Sequence, residues 1–305
     1  MSPYGLAEGL HLVRRRMLPD RDNPPGLAYC ASRVEPEPGI GPLMRVGLLG
    51  DLMGLDGKHL DLDESVSAFF ADCDALIGNL EGTIAPRPLH PVPEWHHPNF
   101  VAELGRMFEP SRFHLNVANN HAADFGVRVF DETADRLRDA GFNVFGTSVQ
   151  PFADIGSHLR LVAGSMWTNR PCNWISDIDD IGRHPEPSRF LLLYPHWGYE
   201  LESQPRREIL DLGRRLLAGA DALVGHHSHL PQPVRLCVVN GRAKVIATSL
   251  GGFCYRDPQP QFLYGVVIKL AIGRMADGAW GVAELDWRFV ECIPGHTRVR
   301  VVIRD

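Results

Sequence analysis

The chain has 305 residues, 44% of them hydrophobic, with a formal net charge of −6. That is enough apolar material for one large domain or two small ones, and the dispersed charges include no basic run of the kind that marks a nucleic-acid face. Six cysteines without a CxxC pair argue against a zinc knuckle or disulfide framework, and no apolar run approaches the ~20 residues that cross a bilayer.

Residues 1–43 are rich in Pro and Gly and lack sustained periodicity, so they read as an N-terminal extension, a partly ordered arm. Arg14-Arg15-Arg16 is followed by no apolar stretch of a secretory signal, and the expectation is a soluble cytoplasmic protein without a membrane anchor. A domain is expected over 44–305. Residues 45–49 read as a strand ending at Gly50-Asp51, 64–72 as a helix, and 75–78 as a strand ending at Asn79-Leu80-Glu81. A loop dense in Pro and His covers 85–98. A helix over 99–108 leads to a strand at 113–117, which ends at Asn119-Asn120-His121. An amphipathic helix over 127–140 and a strand at 143–145 follow. The segment 189–194 reads as a strand ending at His196-Trp197-Gly198, and 204–218 as a helix. The apolar run 222–224 then breaks at Gly225 into His226, His227 and His229. This alternation argues for α/β layers. Strands are expected next at 234–239, 244–248, 263–272, 279–289 and 297–303, with Asn240-Gly241 as a hairpin turn. They are expected to build a largely antiparallel sheet packed against the first.

Five of the expected strands end in residues able to bind metal: Asp51, Glu81, Asn120-His121, His196, and His227 with His229. In layered α/β folds, ligands gather beyond the carboxyl ends of strands. A single Asp after a Gly means little, because turns favour both residues. The whole set is far harder to explain as turn chemistry. Carboxylates, imidazoles and a carboxamide suit Mn, Fe or Zn better than the hard oxygen cage of Mg or Ca. One tetrahedral ion needs fewer ligands. Two ions about 3.5–4 Å apart, bridged by one carboxylate and a hydroxide, would use them all and serve hydrolysis at phosphorus.

The segments Gly50-Asp51, Asn79-Leu80-Glu81, Asn119-Asn120-His121 with Asp124 and Gly126, His196-Trp197-Gly198 with Glu200, Gly225-His226-His227-Ser228-His229 and Ser249-Leu250-Gly251 carry a resemblance. Their order and wording resemble the bacterial CapA family, the poly-γ-glutamate capsule biosynthesis family of the calcineurin-like metallophosphoesterase superfamily. The resemblance runs from about residue 45 to 255. It implies an α/β (α+β) fold: a four-layer αββα sandwich of two mixed sheets flanked by helices. It implies that Asp51 and His229 hold a first metal, that Glu81 bridges where the superfamily has an aspartate, and that Asn120, His196 and His227 hold a second. His121 would protonate the leaving group or steady the transition state. Asp124 would orient His121 or cap the next helix. Asn79, His226, Glu200, Arg170 and Arg256 would support the ligands or touch substrate, Glu200 by accepting from a histidine and the arginines by anchoring phosphate or carboxylate. Trp197 and Tyr199 would line a pocket or pack in the core.

The chain departs from the superfamily pattern twice. Asp51-Leu52-Met53 stands where Asp-x-His is usual, so the first ion loses an imidazole that His90, His96, His97 or water could replace. His96-His97 itself reads more simply as part of a solvated loop. Ser249-Leu250-Gly251-Gly252-Phe253 lacks the usual carboxamide at Gly252. The resulting expectation is a metal-dependent hydrolase holding two Mn, Fe or Zn ions, acting on a small-molecule or polymer phosphoester with a bridging hydroxide and His121 as acid. Two alternatives are an enzyme that handles an amide polymer such as poly-γ-glutamate, and a non-catalytic, metal-stabilised assembly factor.

Overall fold

The computed structural model describes residues 3–17, 32–37, 39–88 and 93–304. Two sheets carry the domain. The larger has ten strands, running His59–Leu62, Arg298–Arg304, Trp280–Pro294, Tyr264–Arg274, Met44–Leu52, Ala75–Leu80, Phe113–Asn116 and Asn143–Phe145. Ser32–Val34 joins it on Trp280–Pro294, and Gly252–Cys254 on Met44–Leu52. The smaller has six strands, in the order Val234–Val239, Arg242–Ala247, Ala222–Val224, Phe190–His196, Leu159–Ser165 and Phe152–Ile155. Both are mixed. Strands 44–52, 75–80, 113–116 and 143–145 run parallel, as do 159–165, 190–196, 222–224 and 242–247.

Side-chain alternation explains why the sheets stack. Successive residues of a strand face opposite sides. In the smaller sheet Phe190, Leu192, Tyr194, Leu161, Ala222, Val224, Val245 and Ala247 belong to the core cluster shared with Val46, Leu48, Ile268 and Leu270 of the larger sheet. The intervening Leu191, Leu193, Val162, Leu223 and Ile246 instead pack with Ile209 and Leu217 of the helix Arg207–Leu217. Strands covered on both faces read as near-continuous apolar runs, which is how the sequence displays them. The helices Glu64–Phe70, Phe100–Met107 and Val127–Asp139 bury Phe70, Leu104, Phe130 and Leu137 on the outer side of the larger sheet. The four layers are helix, sheet, sheet, helix.

The structure corrects the sequence reading in three places. The C-terminal strands form no sheet of their own. Tyr264–Arg274 zips antiparallel onto Met44–Leu52, with Ile268 opposite Leu48, and so covers a parallel edge that would otherwise present unpaired backbone groups. The hairpin around Asn240 (φ 54°) and Gly241 (φ 76°) joins the smaller sheet instead. Leu159–Ser165 is a strand in a stretch to which the sequence reading assigned no element. Finally, Leu6–Met17 is a helix within the N-terminal extension, and its apolar stripe Leu6, Leu10, Val13 and Met17 faces solvent. Among the described residues no helix is long and apolar enough to cross a membrane.

Gly50 lies where the Gly252–Cys254 strand passes closest. A Cβ there would sit 1.9 Å from the Gly251 carbonyl oxygen, which accepts from the Asp51 amide at 2.9 Å. Main chain cannot rotate aside as a side chain can. Gly50→Ala is expected to destabilise the fold by about 1–3 kcal/mol, read as a lower midpoint of urea unfolding.

Candidate metal centre

The parallel strands of both sheets end at one edge. Asp51 closes the strand Met44–Leu52 but for one residue, Glu81 follows Ala75–Leu80, and Asn120 and His121 follow Phe113–Asn116. From the other sheet, His196 is the last residue of Phe190–His196, and His226, His227 and His229 follow Ala222–Val224. The structure brings these residues together. Three overlapping groups each place their ligand atoms within 4.8 Å of one another: Asp51, Glu81 and His229; Glu81, His196 and His227; Asp51, His196 and His226. Asn120 Oδ1 lies 2.8 Å from His196 Nε2, so it belongs to the same cluster.

The histidine loop needs an unusual backbone. His227 has φ 100° and His229 φ 60°, in the left-handed region that costs a non-glycine residue about 1–3 kcal/mol. Neighbouring main chain holds the loop in that shape. His226 N donates to Pro195 O at 3.1 Å, Leu201 N to Ser228 O at 2.8 Å, and Gly252 N to His229 O at 3.2 Å.

Burial dominates the electrostatics. It pushes Asp51 up, but His229 Nδ1 at 3.0 Å, nearby His226 and the Asn79 amide at 2.8 Å outweigh it and hold the carboxyl at about 2. Glu81 has no such help. Burial, then Asp51, Glu200 and Glu94, push its pKa well above the usual range, and neither carboxylate oxygen has a hydrogen-bond partner among the described residues. Burial and neighbouring imidazoles hold His196 and His227 neutral, and burial lowers His226 to about 4. His227 Nδ1 is also buried without a partner. An uncompensated carboxylate beside neutral rings with free lone pairs is the donor set a divalent transition metal takes. These residues fit such an ion.

His121 sits at the rim of the cluster. Its Nδ1 is 2.6 Å from Asp124 Oδ2, while Nε2 faces Glu81 Oε1 at 3.9 Å. Burial lowers its pKa, but Asp124, with Glu94 and Glu200, reverses this and the net shift is upward. Asp124 also accepts from Glu94 N at 3.0 Å. It does not cap the following helix, whose N-cap Gly126 makes no side-chain cap bond. Asn79 Nδ2 donates to Asp51 Oδ1, and Asn79 Oδ1 accepts from Asn116 Nδ2 at 3.1 Å.

Several expected roles are not seen. No hydrogen bond or ion pair joins the Glu200 carboxylate to a histidine among the described residues, although its backbone N–H donates to Tyr4 at 3.0 Å. Arg256 is engaged by Glu94 at 2.8 and 3.3 Å, so it is no free anchor. Arg170 is exposed beside Asn169, and no described contact ties it to the cluster. His96 is buried rather than solvated; its Nε2 lies 2.8 Å from the Glu81 carbonyl oxygen and its ring stacks on Phe100. His97 is exposed, bonded to Asn99, and His90 lies outside the described residues. Trp197 is core, donating to Thr248 O at 2.9 Å. The two departures from the superfamily pattern touch. Met53 packs with Leu201, Tyr255 and Phe262, and a Cβ on Gly252 would lie 3.1 Å from Met53 Cε. An apolar side chain and a missing one thus fit together where an imidazole and a carboxamide were expected. Sequence reasoning missed Tyr4, whose hydroxyl is 2.7 Å from His227 Nε2, and Asn169, whose Nδ2 is 3.1 Å from His121 Nδ1. Neither carries a local signal: Tyr4 lies in an unpatterned arm and Asn169 in an unmatched loop.

Two measurements follow from these charges. In the metal-free protein, Glu81→Gln is expected to raise the thermal midpoint, because it removes a buried, undonated carboxylate. The same variant is expected to lose most of the rise that Mn, Fe or Zn gives the wild type, as melts with and without chelator will read. Burial also holds His114, on Phe113–Asn116, at about 4. The unfolded chain takes up that proton near pH ~6.5, so it binds more protons than the folded state between about 4 and 6.5. Stability is therefore lost as pH falls through that window, and His114→Leu is expected to flatten part of the acid slope.

The profile of the family described as bacterial capsule synthesis protein PGA_cap matches residues 55–153 and 175–256. The chain is 24% identical over 197 residues to the PGA biosynthesis protein CapA of Bacillus subtilis (strain 168), covering 56% of this chain and 50% of that protein. It is 26% identical over 167 residues to the capsule biosynthesis protein CapA of Bacillus anthracis, covering 46% and 39%. The chain thus spans half or less of the length of these curated relatives. Among solved structures, the calcineurin-like phosphoesterase YfkN from Bacillus subtilis superposes with a TM-score of 0.42 at 14% identity, over 81% of this chain and 90% of that one. Since the profile takes in more than half of its length, the chain belongs to the bacterial capsule synthesis family PGA_cap, the CapA family.

Proposed function

We propose that the protein is a metal-dependent hydrolase with a dinuclear centre, acting on a small-molecule or polymer phosphoester. The observation that carries this reading is that Glu81 is shared by two groups, with Asp51 and His229 on one side and with His196 and His227 on the other. Asp51, Glu81 and His229 would hold one ion; Glu81, Asn120, His196 and His227 would hold the other. Two ions of Mn, Fe or Zn would supply Lewis acidity at a phosphoryl oxygen and an activated water. The chain's own residues do the remaining work. Asn79 fixes the Asp51 carboxylate through its amide. If Nε2 of His196 were a ligand beside Asn120, Nδ1 would keep the ring's proton and donate it to His226 Nδ1 at 2.8 Å, which would orient the ring. Asp124 accepts from His121 Nδ1, so Nε2, which faces Glu81, would present its proton to a leaving oxygen there.

Membership of a family whose relatives are named for capsule and PGA biosynthesis supports a second reading, cleavage or handling of an amide polymer such as poly-γ-glutamate. The same centre would polarise a carbonyl. A non-catalytic assembly role is the third. In metal-loaded protein, His121→Ala is expected to lower turnover of an aryl phosphodiester or monoester about 10²–10⁴-fold with metal content unchanged. Unchanged turnover refutes the role given to His121. No ester turnover but shortened poly-γ-glutamate on size analysis supports the second reading; neither activity supports the third.

A further inference from the structure

We infer that Tyr4, carried by the N-terminal extension, is a positioning residue for His227, so that the extension completes the second metal position. This rests on the reading above that His227 binds an ion. The phenol oxygen lies 2.7 Å from His227 Nε2 and accepts from the Glu200 amide at 3.0 Å. Tyr4 is only 9% exposed although it precedes a helix with no buried residue. Its ring sits between Trp167, edge-on at 5.1 Å, and Tyr199, stacked at 5.8 Å.

The tautomer makes this contact consequential. The His227 nitrogen without a protein partner is Nδ1, in the ring grouped with Glu81 and His196. A nitrogen that binds metal must be unprotonated, so the ring's one proton belongs on Nε2, where the Tyr4 oxygen accepts it. Such partners fix both the rotation and the tautomer of a ligating imidazole. The left-handed backbone at His227 gives the ring no regular secondary structure to steady it, which leaves this role to side chains.

The extension is held in place mostly by charge. Glu8 pairs with Arg206 at 2.7 Å and Arg15 with Glu202 at 2.9 Å, while Leu12 packs on the cluster of Met53, Leu201, Tyr255 and Phe262. Glu202 is in turn bonded through its carbonyl to Ser228 Oγ at 2.6 Å, next to His227. Helix, loop and His227 are thus linked by consecutive contacts.

The test is metal affinity, measured on the full chain by competition of Zn or Mn against a chromophoric chelator. Tyr4→Phe keeps the ring and removes the hydroxyl. It is expected to weaken one of two bound ions about 10–100-fold and to leave the other unchanged, while the metal-free protein still melts cooperatively, at a somewhat lower midpoint. Glu8→Ala with Arg15→Ala, which frees the helix, is expected to weaken the same ion. If His227→Ala removes an ion while Tyr4→Phe changes neither constant, this inference is overturned and the ligand reading stands. If His227→Ala leaves the count of ions unchanged, both fall.

Discussion

Glu81 keeps two carboxylate oxygens out of water with no hydrogen-bond donor on either, beside a second carboxylate at Asp51. A carboxylate in that condition either takes up a proton or faces a cation, because the interior offers it nothing else. The surroundings look arranged for the cation. Asp51 is held ionised by imidazole and amide donors, and the histidines across from Glu81 are held neutral by burial. Without a cation this set would leave a buried, undonated carboxyl beside a second carboxylate, an arrangement that costs stability.

The rim then sorts the remaining polar residues by what they touch. Of the two arginines that read as substrate anchors, Arg256 is held by Glu94, while Arg170 lies exposed with no described contact to the cluster. Glu94 in turn places its amide against Asp124 and His121, so this ion pair braces the residue proposed as the acid. Met53 and Gly252 fill one another's space, which makes the first position poorer in nitrogen without leaving a hole.

Much of this was readable from the sequence because of one physical habit. Parallel strands buried on both faces are short apolar runs, and where each run stops the next residues enter the crevice. That rule found Asp51, Glu81, Asn120, His121, His196, His227 and His229, and the alternation of strand and helix found the layers. It could not say which strand pairs with which, since Tyr264–Arg274 meets Met44–Leu52 across two hundred residues of chain. Nor could it see Tyr4, a lone aromatic in a Pro- and Gly-rich arm whose meaning comes entirely from a histidine 223 positions away. The helix that follows Tyr4 was hidden for a related reason. Its stripe of apolar residues points outward and its charges point in, the reverse of the pattern that marks a docked helix.

The candidate ligand atoms come in equal share from two layers: Asp51, Glu81 and Asn120 from the edge of the larger sheet, His196, His227 and His229 from the edge of the smaller. Apolar packing between the sheets resists separation but has little say over sliding at the rim, where the strands run out. An ion gripped from both sides would act there as a rivet, tying the two sheet edges into one plate. The geometry of the site and the stiffness of the sandwich would then be the same quantity. A chelator would blunt the chemistry and, in the same act, let the jaws of the sandwich drift apart.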